Sequence, residues 1–272
     1  MKKLALAILI ILLAAGAYAD TPQRIVSSMP SITEMLFALD LEDRIVGVTT
    51  NCDYPPEALK KEKIGGFFLN LEKVVSLKPD LLVMLEGAQK RDIKKFKDFG
   101  LPVYTINPET VIGVMGAMVE LGEVTGTKEK AEEVVGEMKK RILSVEAKVR
   151  ELPPEKVLII VGYKPLIVVG GGNFIDDVLR YAGAENIAGK AKAAYPQYSF
   201  ENLLDDNPDH IIIPEGVVER KEIEADRRWQ SLEAIRNGRI LFIDADVLSR
   251  PGPRVVEAIE EIAGFIHEKK TQ

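Results

Sequence analysis

Side chains able to do covalent or metal chemistry are scarce in this 272-residue chain. It holds two histidines, His210 and His267, and one cysteine, Cys52. His210 lies within an apolar run and reads as buried structure; His267 sits among lysines in the terminal helix and reads as exposed. No Gly-x-Ser-x-Gly elbow and no zinc-type His/Cys cluster occurs. Gly170-Gly171-Gly172 precedes a helix but lacks the dinucleotide fingerprint, because Ile175 stands where its last glycine belongs. Tight turns explain the triple glycine more simply. A catalytic role and a bare zinc or manganese site are therefore not expected. The chain offers instead recognition residues in loops: Cys52-Asp53-Tyr54, Phe67-Phe68, Glu86, Tyr163, Tyr195, Gln197 and Arg250. Aromatic rings there can stack on a broad planar ligand. Arg250 presents a fork that matches an anionic group, and a salt bridge across its Pro-Gly-Pro turn serves it equally well. Cys52 reads as a small buried thiol, with metal coordination the alternative.

The elements that must position these loops alternate between short apolar runs and helical periods. Strands are expected near Arg24–Ser28, Arg44–Val48, Leu81–Leu85 and Pro102–Ile106, with a helix over Ser31–Ala38 whose Ser31 and Glu34 form a capping box. Strands separated by helices indicate parallel, doubly wound sheets. From about Thr127 to Glu151 the chain reads as one continuous helix, closed by Leu152-Pro153-Pro154. At ~1.5 Å per residue it would be a strut of ~36 Å.

After the strut the pattern restarts. Leu71-Glu72, Pro79-Asp80 and Glu86-Gly87 have counterparts at one offset in Phe200-Glu201, Pro208-Asp209 and Glu215-Gly216. Thr33–Gly47 matches Ile175–Gly189, and Gly100–Asn107 matches Gly238–Ala245. Three ordered matches indicate a duplicated lobe. The layout expected is a leader over 1–19, an N-terminal α/β lobe over 20–126, a linking helix over 127–152 and a C-terminal α/β lobe over 153–272. The fold class is α/β: two Rossmann-like lobes with parallel sheets, joined by one long helix, with a ligand cleft between them.

The leader reads as a signal peptide. Lys2 and Lys3 precede the apolar run Leu4–Leu13, and Ala17-Tyr18-Ala19 suits cleavage after Ala19. The apolar stretch is shorter than the ~20 residues a spanning helix needs. The lack of a cysteine near that point argues against a lipid anchor. Removing the leader's two lysines would take the net charge from −6 to −8. That argues against nucleic acid or an anionic membrane as partner.

Taken in order, these pieces resemble a known family. Arg24-Ile25-Val26-Ser27-Ser28 with Thr33-Glu34, Asp53-Tyr54-Pro55-Pro56, Asn70-Leu71-Glu72 through Leu77-Lys78-Pro79-Asp80-Leu81, Gly183-Ala184-Glu185-Asn186-Ile187, Tyr195-Pro196-Gln197, Glu201 and Pro253-Arg254 carry the likeness. The whole mature chain resembles the cobalamin-binding proteins of ABC importers, in the helical-backbone class of periplasmic binding proteins. That class also contains haem and ferric-siderophore binders. The resemblance implies a monomeric extracytoplasmic protein that binds a small metal chelate such as a corrinoid, keeps no cofactor of its own, and partners an ABC permease dimer. It assigns Glu72 and Glu201 to docking on that permease. Each glutamate also begins a helix, where a carboxylate suits the dipole. The cobalamin binders carry tryptophans at several loop positions where this chain has Phe67, Phe68 and Tyr195. Haem ligated by Tyr54, Tyr163 or Tyr195, or a ferric siderophore facing Arg250, stays open on the same fold.

Overall fold

Runs of β-branched and leucine residues form two parallel sheets in the computed structural model, which describes residues 21–267. The leader expected over 1–19 lies outside the described residues. In the first sheet β1 (Ile25–Ser27) is flanked by β2 (Ile45–Gly47) and β3 (Leu81–Leu85), and β4 (Val103–Ile106) completes the order β2-β1-β3-β4. The second sheet is built on β5 (Glu155–Gly162). Its first residues pair with β7 (Ala184–Asn186), and its other edge carries β8 (His210–Pro214) and then β9 (Ile240–Ile243). The parallel order β7-β5-β8-β9 thus repeats that of the first sheet. A short antiparallel β6 (Ile167–Val168) is added at the C-terminal end of β5. β1, β8 and most of β3 are buried on both faces, as parallel strands covered by helices require.

The duplication extends to backbone detail. Helices α2 (Leu71–Ser76) and α7 (Phe200–Asp206) are separated by two residues and one residue, respectively, from a proline-aspartate pair. Lys78 and Asn207, preceding those prolines, both adopt left-handed backbone, at φ 47° and 36°. The aspartate then clamps the first strand of its lobe. Asp80 accepts from the amides of Gln23 and Arg24, both at 2.8 Å, and Asp209 accepts from that of Lys156 at 2.9 Å. The repeat diverges at the ends of β3 and β8. Glu86 and Gly87 begin a helix, α3 (Glu86–Asp98), whereas Gly216 makes a left-handed turn.

Between the sheets lies a shared layer of helices. It contains α1 (Pro30–Ala38), α4 (Val111–Thr125), α5 (Lys128–Val149), α6 (Phe174–Tyr181), α10 (Ala245–Ser249) and α11 (Val255–His267), while the short α8 (Arg220–Ala225) and α9 (Glu233–Arg236) pack into the outer core of the second sheet. The 22 residues of α5, about 33 Å long, bury Ala131, Val135, Met138, Ile142 and Val145, a single stripe of helical period. This stripe packs against α4 and α11. One continuous apolar core runs from Ile32 and Met35 through Met118 and Met138 to Val178 and Ile259, so both lobes draw on it. Each sheet has a smaller core on its outer face. Two polar contacts cross the same layer. Asp177 of α6 accepts from the amide of Val111 at 2.8 Å, and Arg141 of α5 holds Glu260 of α11 by two bonds at 3.0 and 2.5 Å.

Three local expectations are corrected. Ser31 does not cap α1: Met29 is the N-cap and Pro30, which has no N–H to satisfy, opens the helix. His267 is half-buried, its Nε2 3.2 Å from the carbonyl of Ala182. Gly172 does turn left-handed at φ 72°, but Gly170 and Gly171 serve close approach, since a Cβ there would strike the carbonyl oxygens of Ala193 and Gly189. His210 is buried as expected, with Nε2 3.6 Å from Glu155 and its ring edge-on to Phe265.

The clamps make a paired prediction. Asp80→Ala should lower the unfolding free energy by about 1–2 kcal/mol through loss of two charge-assisted bonds. Lys78→Gly should raise it by about 0.5–1 kcal/mol by removing the left-handed penalty. Urea unfolding of both variants checks this, and equal midpoints for all three proteins would contradict it.

Candidate ligand-binding site

The loops following the C-terminal ends of β2 and β9 meet at a cluster of charges that joins the lobes. Glu34, on α1 of the first lobe, has a side chain only 1% exposed. Arg254 reaches it from the second lobe with two bonds, Nε to Oε2 at 2.8 Å and Nη2 to Oε1 at 2.7 Å. Arg250 adds a third, from Nη1 to Oε1 at 3.0 Å. The same Arg250 donates to Asp53 Oδ1 at 2.8 Å and to the carbonyl of Asn51 at 3.4 Å, and lies 2.6 Å from Asp246 Oδ2. Arg254 also covers the ring of Tyr54, with its guanidinium carbon 3.9 Å from the centroid. A capping-box reading of Glu34 is thus replaced by an interlobe anchor. A buried carboxylate has no alternative to pairing, and two guanidinium forks satisfy both of its oxygens.

This clasp sets the electrostatics of the site. The hydrogen bond from Arg250 holds the Asp53 carboxyl below its usual range. Burial, with Asp53 and Asp244 nearby, pushes Asp246 above its own, against the pull of Arg250. Burial works against the Arg250 charge, but its bonds to Asp53 and Glu34 outweigh that and raise its pKa. Arg250 is therefore not an open fork for an anion, because three carboxylates already surround it. Asp53 and Asp246 remain about half exposed beside it, at 53% and 44% of their side chains.

Two loops carry exposed aromatic residues. Phe67 and Phe68 are exposed and meet edge to face with centroids 5.4 Å apart. Their loop is folded back by a bridge between Gly65 and Leu69 and tied to the β2 side through Thr50 N to Gly65 O at 2.8 Å. At Gly65 the backbone has φ 116°, and a Cβ would strike the carbonyl of Phe68, so glycine is required. Phe67 and Phe68 border a hollow of about 530 Å³ with Gly87, Ala88 and Lys90. Glu86, exposed, opens the adjoining helix. Sequence reasoning missed Gln89, which is buried and non-helical within α3. Its Oε1 accepts from Ser28 Oγ at 2.6 Å and from Leu85 N at 3.1 Å, pinning the ends of β1 and β3 together. The break in helical geometry at Gln89 was not legible from its neighbours.

In the second lobe, Tyr195-Pro196-Gln197 is zipped to β6 by a bridge between Ile167 and Gln197 and by Val168 N to Pro196 O at 3.1 Å. Tyr195 and Gln197 are exposed. Tyr163 is half-buried, 6.0 Å from Trp229 centroid to centroid, beside a hollow of about 280 Å³ that includes Phe200. Cys52 falls outside this set. It is fully buried, with Sγ 3.1 Å from the hydroxyls of Thr33 and Thr49. Adjacent core residues claim its side chain, so the thiol does not face a ligand. Tyr54 has one face occupied by Arg254 and lines a groove of about 490 Å³ with Phe37, Met138 and Pro253. Among the described residues no group of histidine, cysteine and acidic side chains is placed to hold a metal ion.

Glu72 and Glu201 occupy matching places, each the second residue of a short helix. Asn70 caps α2 by accepting from Lys73 N at 3.1 Å, and Ser199 caps α7 by accepting from Asn202 N at 2.9 Å. Both glutamates are exposed.

Two tests follow from the clasp. Glu34→Ala should cost about 3–5 kcal/mol, since it strands two partly buried guanidinium groups; a loss below 1 kcal/mol in urea unfolding would contradict the anchor. Asp53→Asn and Asp246→Asn should show opposite pH slopes. The folded pKa of Asp53 is lowered, so its contribution is full above the unfolded carboxylate value near 4. The deficit of Asp53→Asn should therefore shrink as pH falls below that value. The folded pKa of Asp246 is raised, so wild type should lose ground to Asp246→Asn as pH rises above the unfolded carboxylate value near 4. Thermal unfolding across pH 3–7 reads both.

The model of the periplasmic binding protein family matches residues 25–247. An uncharacterized ABC transporter substrate-binding lipoprotein of Bacillus subtilis, YvrC, is 35% identical over 90% of this chain and 80% of its own length. The crystal structure of the periplasmic vitamin B12 binding protein of Vibrio cholerae superposes with a TM-score of 0.82 at 26% identity, covering 93% of this chain and 99% of that one. A periplasmic heme binding protein from Pseudomonas aeruginosa gives 0.77 at 26% identity, over 89% and 92%. The helical-backbone, two-lobed architecture and these matches agree: the chain belongs to the periplasmic binding protein family, as a substrate-binding protein of ABC transport.

Proposed function

We propose that this chain captures a corrinoid in the cleft between its lobes, outside the cytoplasmic membrane, and delivers it to the permease of an ABC importer. The observation that carries the corrinoid reading is the state of Arg250. Its two terminal nitrogens are engaged by Glu34, Asp53 and Asp246, and the half-exposed Asp53 and Asp246 carboxylates lie beside it. Such a surface accepts hydrogen bonds from amide donors and repels carboxylates. A corrinoid carries amide groups around a broad macrocycle, whereas haem presents two propionates. Exposed Phe67, Phe68 and Tyr195 supply stacking area for the macrocycle. The similarity to the vitamin B12 binding protein of Vibrio cholerae supports the same choice. The shared interlobe core favours a site largely formed before binding. No catalytic step is needed in this role. Glu72 and Glu201 serve to dock the loaded protein on the permease.

Titration of the mature chain with cyanocobalamin, cobinamide, haemin and a ferric-siderophore panel tests the ligand. Trp229 is buried beside Tyr163, and energy transfer to a bound chromophore should quench it. Saturable one-to-one quenching by the corrinoids alone is expected; saturation by haemin or a siderophore alone would overturn the assignment. Glu72→Ala with Glu201→Ala should leave that titration unchanged and reduce transport by at least tenfold. Loss of ligand binding in the double variant would place these carboxylates in the site or the fold instead.

A further inference from the structure

Each lobe places two adjacent apolar residues on the helix that carries its proposed docking glutamate. In α2, Val74 is fully buried and Val75 is 41% exposed; in α7, Leu203 is fully buried and Leu204 is 41% exposed. The two pairs stand at the same offset as Glu72 and Glu201. Val74 and Leu203 satisfy the packing of their helices, so Val75 and Leu204 are not needed for the core. Val75 and Leu204 each lie three positions after their glutamate, which sets each acid and each apolar side chain on one helix face, with Cβ atoms ~5–6 Å apart. Among the described residues neither glutamate forms an ion pair or a side-chain hydrogen bond. Among the described residues of the second lobe the large apolar side chains left exposed are Tyr195, on the candidate ligand loop, and Leu204.

A single exposed aliphatic residue is ordinary on a protein surface. The same residue class, equally exposed, beside the same unpaired acid in both copies of a duplicated lobe is not explained by the fold. We infer that Glu72 with Val75, and Glu201 with Leu204, form a matched pair of acid-plus-apolar knobs for a partner that is itself two-fold symmetric, with a basic group beside an apolar hollow on each half. This rests on the transport reading above and names the permease dimer as the one occupant. The carboxylates would steer the encounter and fix orientation. The aliphatic side chains would supply desolvated contact that slows dissociation, as central apolar anchors do. Two such contacts on one rigid frame reinforce each other through effective concentration.

The test uses the mature, cobalamin-saturated chain and the ABC importer complexes of its own cells, each reconstituted in nanodiscs. The cognate complex is the one whose ATP hydrolysis wild type stimulates. Against it, Val75→Ser and Leu204→Ser should each weaken binding about fivefold to tenfold. The double variant should lose more than tenfold, mainly through faster dissociation, with ligand titration and unfolding midpoint unchanged. Leu143→Ser, which removes a still more exposed aliphatic residue from α5, should bind as wild type. If Val75→Ser with Leu204→Ser binds as tightly as wild type while Glu72→Ala with Glu201→Ala does not, the apolar knobs are refuted and the transport reading stands. If wild type stimulates none of the complexes, the transport reading fails and this inference with it.

Discussion

The buried carboxylate of Glu34 is the constraint from which the rest of the arrangement follows. An ionised group with 1% of its side chain exposed is tolerable only when its oxygens are paired, and both of its partners, Arg250 and Arg254, come from the other lobe. The lobes cannot separate at that point without stranding three charges. Around this point the helical layer closes a single apolar core drawn from both halves of the chain. The long helix α5 contributes a buried stripe to that layer rather than acting as a free strut. Rigidity thus arises from a shared interface with one ionic anchor, and the linker's length matters less than what it buries.

The clasp also sets the charge around Arg250. An arginine beside a ligand site would ordinarily select anions. Here Asp53 and Asp246 both lie beside it, and their shifts run in opposite directions because the hydrogen bond from Arg250 dominates at Asp53 while burial dominates at Asp246. The half-exposed Asp53 and Asp246 beside Arg250 are the basis of the amide-bearing ligand proposed above. The aromatic loops are held by backbone pairing instead of side-chain packing: Gly65 bridges Leu69, and Gln197 bridges Ile167. This leaves Phe67, Phe68 and Tyr195 exposed on supported segments, in keeping with a preformed site.

Much of the architecture was legible in the sequence because its signals are local. Apolar runs marked the strands. The repeated proline-aspartate turns marked the duplication, and the structure gives them a common task, since Asp80 and Asp209 each clamp the first strand of their lobe. The site was harder. Arg250 and Arg254 reach Glu34 across more than two hundred residues, a separation that no local pattern reports. Ser31 and Glu34 matched a capping box, but Pro30 starts the helix earlier and frees the carboxylate for its distant partners. Cys52 was grouped with the recognition loop, but its other reading, a small buried thiol, is the one that holds: Thr33 and Thr49 enclose it. Gln89 was passed over because an amide in a polar helix carries no periodic signal.

The central claim is that the interlobe core and the Glu34 clasp hold the cleft in one geometry, with or without ligand. The most direct test is a distance between the lobes, measured by pulsed electron resonance on spin labels at Lys94→Cys and Glu222→Cys. Both positions are exposed, and the native Cys52 is buried away from the label. With and without saturating cyanocobalamin, the account predicts mean distances that agree to within about 2 Å, the scale of pre-organised recognition. A shift well beyond that, or a broad unliganded distribution that sharpens on binding, would contradict it.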